Sequence, residues 1–586
     1  MKLDPQPTWA KISALAGAVL WTVLLLAGTS TARETELINR ILLLGVLVIV
    51  PLGLALVMTP GREGLHSLPY RLAIVAQPLG ALAVVVSFYL EPGQLAASCA
   101  SLWFVVTVLI ALFGVWRLLP RGLHPVEEAG IDSGLIYLVV GGAWLVMARF
   151  GAEPLGFGDT IVLLTAVHFH FAGFAAPILA GLAGRTISRS GQGGKLFGIV
   201  VALIVAGTPL VAAGITVSPL LALVGAIVIS LGLVGLGLFV LIRVLPAVRS
   251  WPARFLLGIS ALSSLFAMSL ACVYAYSIVM KRLIVDIPQM ALTHGVVNAF
   301  GFALCGLIAW IILRPAALAR APGLPFSKLR GVGFVGPDYF QRIAAISSTK
   351  PPALGLVDSL STYRRTDFDP DSVHKAVRSF YEETFKYRLL VRPYWKTGFR
   401  HAGRLENWLG TLVGQMRLPV AAEKAEDLIE SRLISVDDAA DGRSGVRAWV
   451  RTYEGTERAM YVAAYATHSM LGNIYMNIAF PMPGGNISSI LHMASIQGPS
   501  GAHDSIALST LPDAFAGGDQ GVYFAGSLLP LRLPINEVIT VWPVEREGES
   551  KVNDQAQPTV QAKHEMWIAG IKFLDLEYDI FPVQIS

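Results

Sequence analysis

Ten mostly apolar stretches crowd into the first 315 or so positions, each near the roughly 20 residues that a helix needs to cross the hydrocarbon core of a bilayer. Backbone groups inside that core find no water, so each stretch must close its own hydrogen bonds as a helix. The stretches run approximately over 10–28, 38–58, 71–90, 96–116, 133–150, 159–183, 196–217, 219–242, 255–279 and 289–313. Composition points to the same solvent: only 15% of residues are charged, against about 25% in soluble domains. The expected fold class is an all-α polytopic transmembrane bundle of about ten helices followed by a soluble α+β, mainly antiparallel β, C-terminal domain. The expected organisation is a transmembrane domain over 1–315, a juxtamembrane linker over 316–370 and a cytoplasmic domain over 371–586.

The first stretch resembles a signal peptide in having Lys2 and Lys11 ahead of an apolar run. Its core from Ile12 to Ala27 is longer than a signal core, and Thr29 to Ala32 makes a poor cleavage site, so it reads as a retained anchor. Basic residues resist export and set orientation. They gather after the even-numbered stretches, as Arg62 and Arg71, Arg117 and Arg121, Arg185, Arg189 and Lys195, then Arg243, Arg249 and Arg254. The other loops hold fewer: Arg33 and Arg40, Arg149, then Lys281 and Arg282. Lys2, Lys11, Arg314, Arg320, Lys328 and Arg330 fall on the richer side, which puts both termini in the cytoplasm. A net charge of +5 is small for this length, arguing against nucleic-acid binding and fitting basic loops at an anionic membrane face.

A charge at mid-helix costs roughly 2.5 to 3.5 kcal/mol on insertion scales, so polar groups inside the stretches are functional candidates. The sixth reads LLTAVHFHFAGFAAPILAG, with His168 and His170 near its centre, and the tenth reads LTHGVVNAFGFALCG, with His294 and Asn298 in its first half. His294 and Asn298 are four apart and share a helix face. His168 and His170 are two apart, about 200° around an ideal helix, and cannot both face one ion unless the backbone departs from α geometry. Pro177 removes the hydrogen bond to the Gly173 carbonyl and makes such a departure feasible. Three roles compete: a substrate or proton path through all four residues, a metal or haem site on His168, His170 and His294, or plain interhelical hydrogen bonding. Pro51, Pro209 and the pair Gln77–Pro78 mark further interruptions of the kind transporters use, although prolines are frequent in membrane helices generally. Glu153, Asp159 and Asp286 sit at stretch ends and read as solvated. Cys99, Cys272 and Cys305 lie in apolar runs without ligand or disulfide spacing, and no Walker loop occurs in the chain, which argues against nucleotide-driven pumping.

The segments HFHFAGFAAPILAG (168–181) and THGVVNAFGF (293–302) resemble the YndJ-like family of bacterial polytopic membrane proteins. The resemblance implies a bacterial membrane location and a multi-span fold, and it points to His168, His170, His294 and Asn298 without supplying a mechanism.

Arg314-Pro315 closes the last stretch, and the Gly-, Pro- and Arg-rich run to about Phe340 reads as linker. DSVHKAVRSFYEETFKY (371–387) has helical spacing in Val373, Val377, Phe380 and Tyr381. FYEETFKYRLLVRPYWKTGFR mixes aromatics and cations in the manner of a helix at a leaflet surface or a solvated helix with an aromatic core face. From about residue 427, β-branched and alternating runs broken by Gly, Pro, Asp and Asn predict an antiparallel sheet or barrel. Such a curved sheet either encloses an apolar ligand such as a lipid tail or packs solid. His468, His492, His503 and His564 are scattered and read as ordinary histidines.

The leading expectation is a bacterial inner-membrane protein of transporter-like or solute-sensing type, with a cytoplasmic regulatory or apolar-ligand-binding domain. The alternatives are a membrane oxidoreductase using haem or a transition metal on the intramembrane histidines, and a non-catalytic membrane scaffold. The expected partners are the lipid bilayer and a small solute or lipid-like ligand.

Overall fold

The computed structural model describes residues 5–27, 33–58, 67–189, 194–317, 324–418, 427–470, 472–511, 518–527, 529–544 and 557–583. Lys2, Arg62, Arg320, the cleavage-site residues Thr29 to Ala32 and the side chains of Arg33 and Arg189 lie outside that description. The chain divides into two units, 1–321 and 322–586.

The first unit contains ten helices long and apolar enough to span a membrane: Thr8–Ala27, Glu36–Leu56, Leu68–Phe88, Gln94–Arg121, Val126–Phe150, Asp159–Ile187, Gly194–Val217, Pro219–Ala247, Trp251–Val279 and Ile287–Leu313. They coincide with the ten apolar stretches and are called spans one to ten. Spans two, six and ten carry π-helical segments at Gly45–Ile49, Phe169–Ala175 and Val297–Leu304, and these three segments pack on one another. Proline explains two of them. Pro51 removes the amide that would bond the Leu47 carbonyl, and Pro177 does the same to Gly173. The widened turns leave carbonyls for other partners: Gln77 Nε2 donates to Val46 O at 3.2 Å. A Cβ added to Gly17 would lie 2.1 Å from Leu47 O, so span one needs glycine there to approach span two.

The second unit is built on a twelve-stranded antiparallel sheet: β1 Tyr387–Trp395, β2 Asp427–Ser435, β3 Arg447–Tyr453, β4 Ala459–Met470, β5 Asn473–Met482, β6 Gly485–Ile496, β7 Ser505–Ser509, β8 Gly521–Ala525, β9 Pro530–Arg532, β10 Ile535–Pro543, β11 Val560–Ile568 and β12 Ile571–Pro582. The order β5-β4-β3-β2-β1-β12-β11-β10-β7-β6 closes through a β5–β6 pairing, and β8 and β9 extend from the first half of β6. Closure removes the open edges that an antiparallel sheet would otherwise expose.

Three expectations about this unit change. Residues 324–370, assigned to a linker over 316–370, instead pack into it: Leu329, Val335, Tyr339, Phe340 and Ala345 cover the outer face of β3 and β4 against Ala448, Val450, Val462 and Ala464. That covering buries β4 on both faces, which is why its sequence runs apolar without alternation. The amphipathic run 371–387 is helical only over Lys375–Glu382, where Val377, Phe380 and Tyr381 are buried. The middle of the segment offered as a surface helix, Tyr387–Trp395, is strand β1. The helix with an exposed apolar face follows it, at Arg400–Val413, with Leu405, Trp408, Leu409 and Leu412 outward.

Candidate functional site

The strongest polar feature of the membrane unit is one that the loop-charge reading missed. Arg117 and Arg121 stand four apart near the end of span four. Glu128 and Asp132 stand four apart at the start of span five, so a tight turn brings the two pairs face to face. Arg117 Nη2 donates to Glu128 Oε2 at 2.6 Å, and its Nε lies 2.7 Å from Asp132 Oδ1. Arg121 Nη2 donates to Asp132 Oδ2 at 2.6 Å. From the end of span six, Arg185 grips both oxygens of Glu128 at 2.7 and 2.9 Å and reaches Leu56 O of span two at 3.1 Å. Both carboxylates are fully buried. Three arginines assigned to basic loops are therefore internal counter-ions that tie four spans together at one end of the bundle. The R-x-x-x-R and E-x-x-x-D pairs on either side of a short turn were the available signal.

Of the four predicted polar residues, His170 and Asn298 lie in the packed π segments, His168 directly precedes one of them, and His294 lies in a further π segment, Ala291–Gly295. His170 is fully buried between spans: Trp103 Nε1 can only donate, so it donates to His170 Nε2 at 3.0 Å, and His170 Nδ1–H donates to Ala166 O at 2.8 Å. Both ring nitrogens are committed. His168 points the other way, with an exposed side chain and a single bond from Nδ1 to Leu164 O at 2.7 Å. His294 Nδ1–H donates to Ala267 O of span nine at 2.9 Å, and Asn298 Nδ2 donates to His294 Nε2 at 3.2 Å. His168 and His294 lie within electrostatic reach of each other. Among the described residues, no group of three or more His, Cys, Asp or Glu side chains is arranged to hold a metal ion. His168 and His170 face different surroundings, the first exposed and the second fully buried against Trp103.

The barrel interior holds a partly open cavity of about 290 Å³. Its walls are inward-facing residues of nearly every strand, including Trp449, Met476, Ile478, Leu491, Leu508, Val541 and Ile580. A few polar groups share the space. His564 of β11 pairs with Glu537 of β10 at 2.7 Å, and Ser489 also bonds that carboxylate, so Glu537 stays below the usual range although burial acts the other way. The guanidinium of Arg451 lies 4.2 Å from the centre of the Trp449 ring and 4.3 Å from that of Tyr461. His564, read as an ordinary histidine, thus faces the cavity, while His468 and His492 meet Asp519 and Asp367 elsewhere in the unit. The sequence separations hid every one of these pairings.

Glu406, on the Arg400–Val413 helix, enters the cavity at one side. Burial pushes its carboxyl from 4.5 up to about 8, although a backbone contact with Leu418 acts the other way. The folded state then holds a proton that the unfolded chain has released, so stability falls as pH rises across that interval. Glu406→Gln is expected to change little at a pH of about 5 and to stabilise increasingly up to a pH of about 9. Thermal unfolding of the full-length protein reads this; a difference that stays constant with pH would overturn it.

A family model described as YndJ-like protein matches residues 40–302. A Bacillus subtilis (strain 168) protein described as uncharacterized membrane protein YndJ is 30% identical over 507 residues, covering 86% of this chain and 87% of the relative. That span is too long to fit inside the first unit, so the likeness extends into the barrel. No solved structure matches.

Proposed function

The chain belongs to the YndJ-like family of membrane proteins, and we propose that it is a multi-span protein that senses an apolar, lipid-like ligand held inside its barrel domain. The partly open cavity inside the barrel carries this reading. Ligand sites are concave, mostly apolar and supplied with a few placed polar groups, and the barrel interior has each of these properties. A space of this size inside a close-packed domain forfeits dispersion contacts unless something fills it.

The test uses full-length protein in lipid nanodiscs and a fluorescent apolar probe. Wild-type protein is expected to retain probe above the level of empty nanodiscs. Ile478→Trp, which pushes a larger side chain into the cavity, is expected to lower that retention about tenfold or more, a loss of at least about 1.4 kcal/mol. Equal retention by both proteins, or none by wild type, overturns the reading.

A second part of the proposal concerns the spans. π segments recur at functional sites in helices, and three of them meet where His168, His294 and Asn298 stand. We assign these residues to a solute or proton path whose state the barrel reports. His170, with both nitrogens engaged, positions span six. Both termini stay in the cytoplasm on the strength of Arg71, Lys195, Arg243, Arg249 and Arg254, leaving aside the three buried arginines paired with Glu128 and Asp132. A fluorescent protein fused after Ser586, which matures only in the cytoplasm, is expected to be bright; a dark fusion with an active periplasmic or external reporter would refute that orientation.

A further inference from the structure

Resting on the reading that the barrel holds a lipid-like ligand, we propose that the ligand is a single-chain carboxylate whose head pairs with Arg451. Arg451 is 7% exposed and lines the cavity. Its guanidinium is held between the Trp449 and Tyr461 rings, which fixes its plane and leaves its edge for an anion. Its Nε has no hydrogen-bond partner, and no carboxylate lies within ion-pair distance of it, among the described residues. An arginine does not shed its proton, and a buried cation without a counter-ion is costly.

Glu537 lies within electrostatic reach of Arg451 without forming an ion pair with it, and the cavity carboxylates are otherwise engaged. Glu537 accepts from His564 and Ser489, and Glu406 is predominantly protonated at neutral pH. Tyr578 bonds to Arg451, and Tyr461 stacks on it, so two phenol hydroxyls accompany the guanidinium as further donors. Their protons stay in place because burial raises both groups, Tyr578 up to about 12.

One planar fork and no lysine among the lining residues suit a singly charged, planar head. A phosphate dianion would keep an unmatched charge in an apolar enclosure. Beyond the head, Met476, Ile478, Leu491, Leu508, Val541 and Ile580 offer the chain a continuous apolar wall.

The experiment compares palmitate with hexadecanol, which has the same chain and no charge. Both are offered, radiolabelled, to full-length protein in nanodiscs, with empty nanodiscs subtracted. Palmitate is expected to bind about tenfold or more tightly than hexadecanol, the factor that charge-assisted hydrogen bonds supply. Arg451→Leu is expected to remove that preference while hexadecanol binding persists, which also reports an intact barrel. Arg451→Lys keeps the charge without the planar fork and is expected to retain part of the preference. Equal binding of acid and alcohol by wild type overturns the carboxylate proposal and leaves the apolar-cavity reading standing. Retention of neither sinks both.

Discussion

Glu128→Ala is expected to cost the membrane unit roughly 3 to 5 kcal/mol, the range for breaking a buried ion pair from one side. Glu128 accepts from Arg117 and, in a two-point grip, from Arg185. Removing it leaves the three buried guanidinium groups of Arg117, Arg121 and Arg185 with one of their two paired carboxylates gone. Set against a typical total stability of about 5 to 15 kcal/mol, a loss of that size should be visible as a sharp fall in folded protein recovered from membranes. Arg342→Ala removes the half-exposed pair with Asp338, where the side chains are 43% and 54% accessible, and donations to the Phe334 and Val335 carbonyls, and is expected to cost no more than about 2 kcal/mol. Joint replacement of Glu128 and Arg185 by methionine should recover part of the loss, because Arg117 and Arg121 keep Asp132 and the Arg185 guanidinium is no longer left without its carboxylate. The measurement is thermal unfolding of purified full-length protein. Were Glu128→Ala and Arg342→Ala to melt alike, the internal ion cluster could not be what joins these spans.

His170→Ala and His168→Ala are expected to differ by about 2 kcal/mol or more in their effect on stability. Removing the His170 ring opens a void between spans four, five and six and strands the Trp103 indole N–H in a dry site. Gly141 shows how closely the ring is packed, since a Cβ there would lie 2.9 Å from His170 Nδ1. His168 is exposed and holds only its own helix's carbonyl, so its loss should shift unfolding by less than about 1 kcal/mol. Matching stabilities for the two variants would mean that the asymmetry between a positioning histidine and a path histidine is absent. A His168→Ala protein that is stable yet altered in function fits the path assignment.

The two histidines also show how far the sequence reading reaches. Their spacing alone separated them around a helix, and the structure places one in a dry interface and the other on an open face. The carboxylates of span five went unread because Glu128 and Asp132 fall near the edge of an apolar stretch, where charge normally means solvent. Only the neighbouring hairpin partner turns that edge into an interior. In the tail, Arg451, Glu537 and His564 come from β3, β10 and β11 and meet only because the sheet closes on itself.

By itself, the sequence determined the number of apolar spans, the succession of a helical bundle and a mainly β domain, and the antiparallel character of the latter. Those properties depend on apolar length and residue periodicity, which are local and additive along the chain. Tertiary structure alone decided which charges are internal, which histidine has a free nitrogen, that residues 324–345 sheathe the barrel, and that its centre is hollow. Each of these depends on register and on contacts between residues far apart in the chain, and a shift of one residue in a strand would exchange its inner and outer faces.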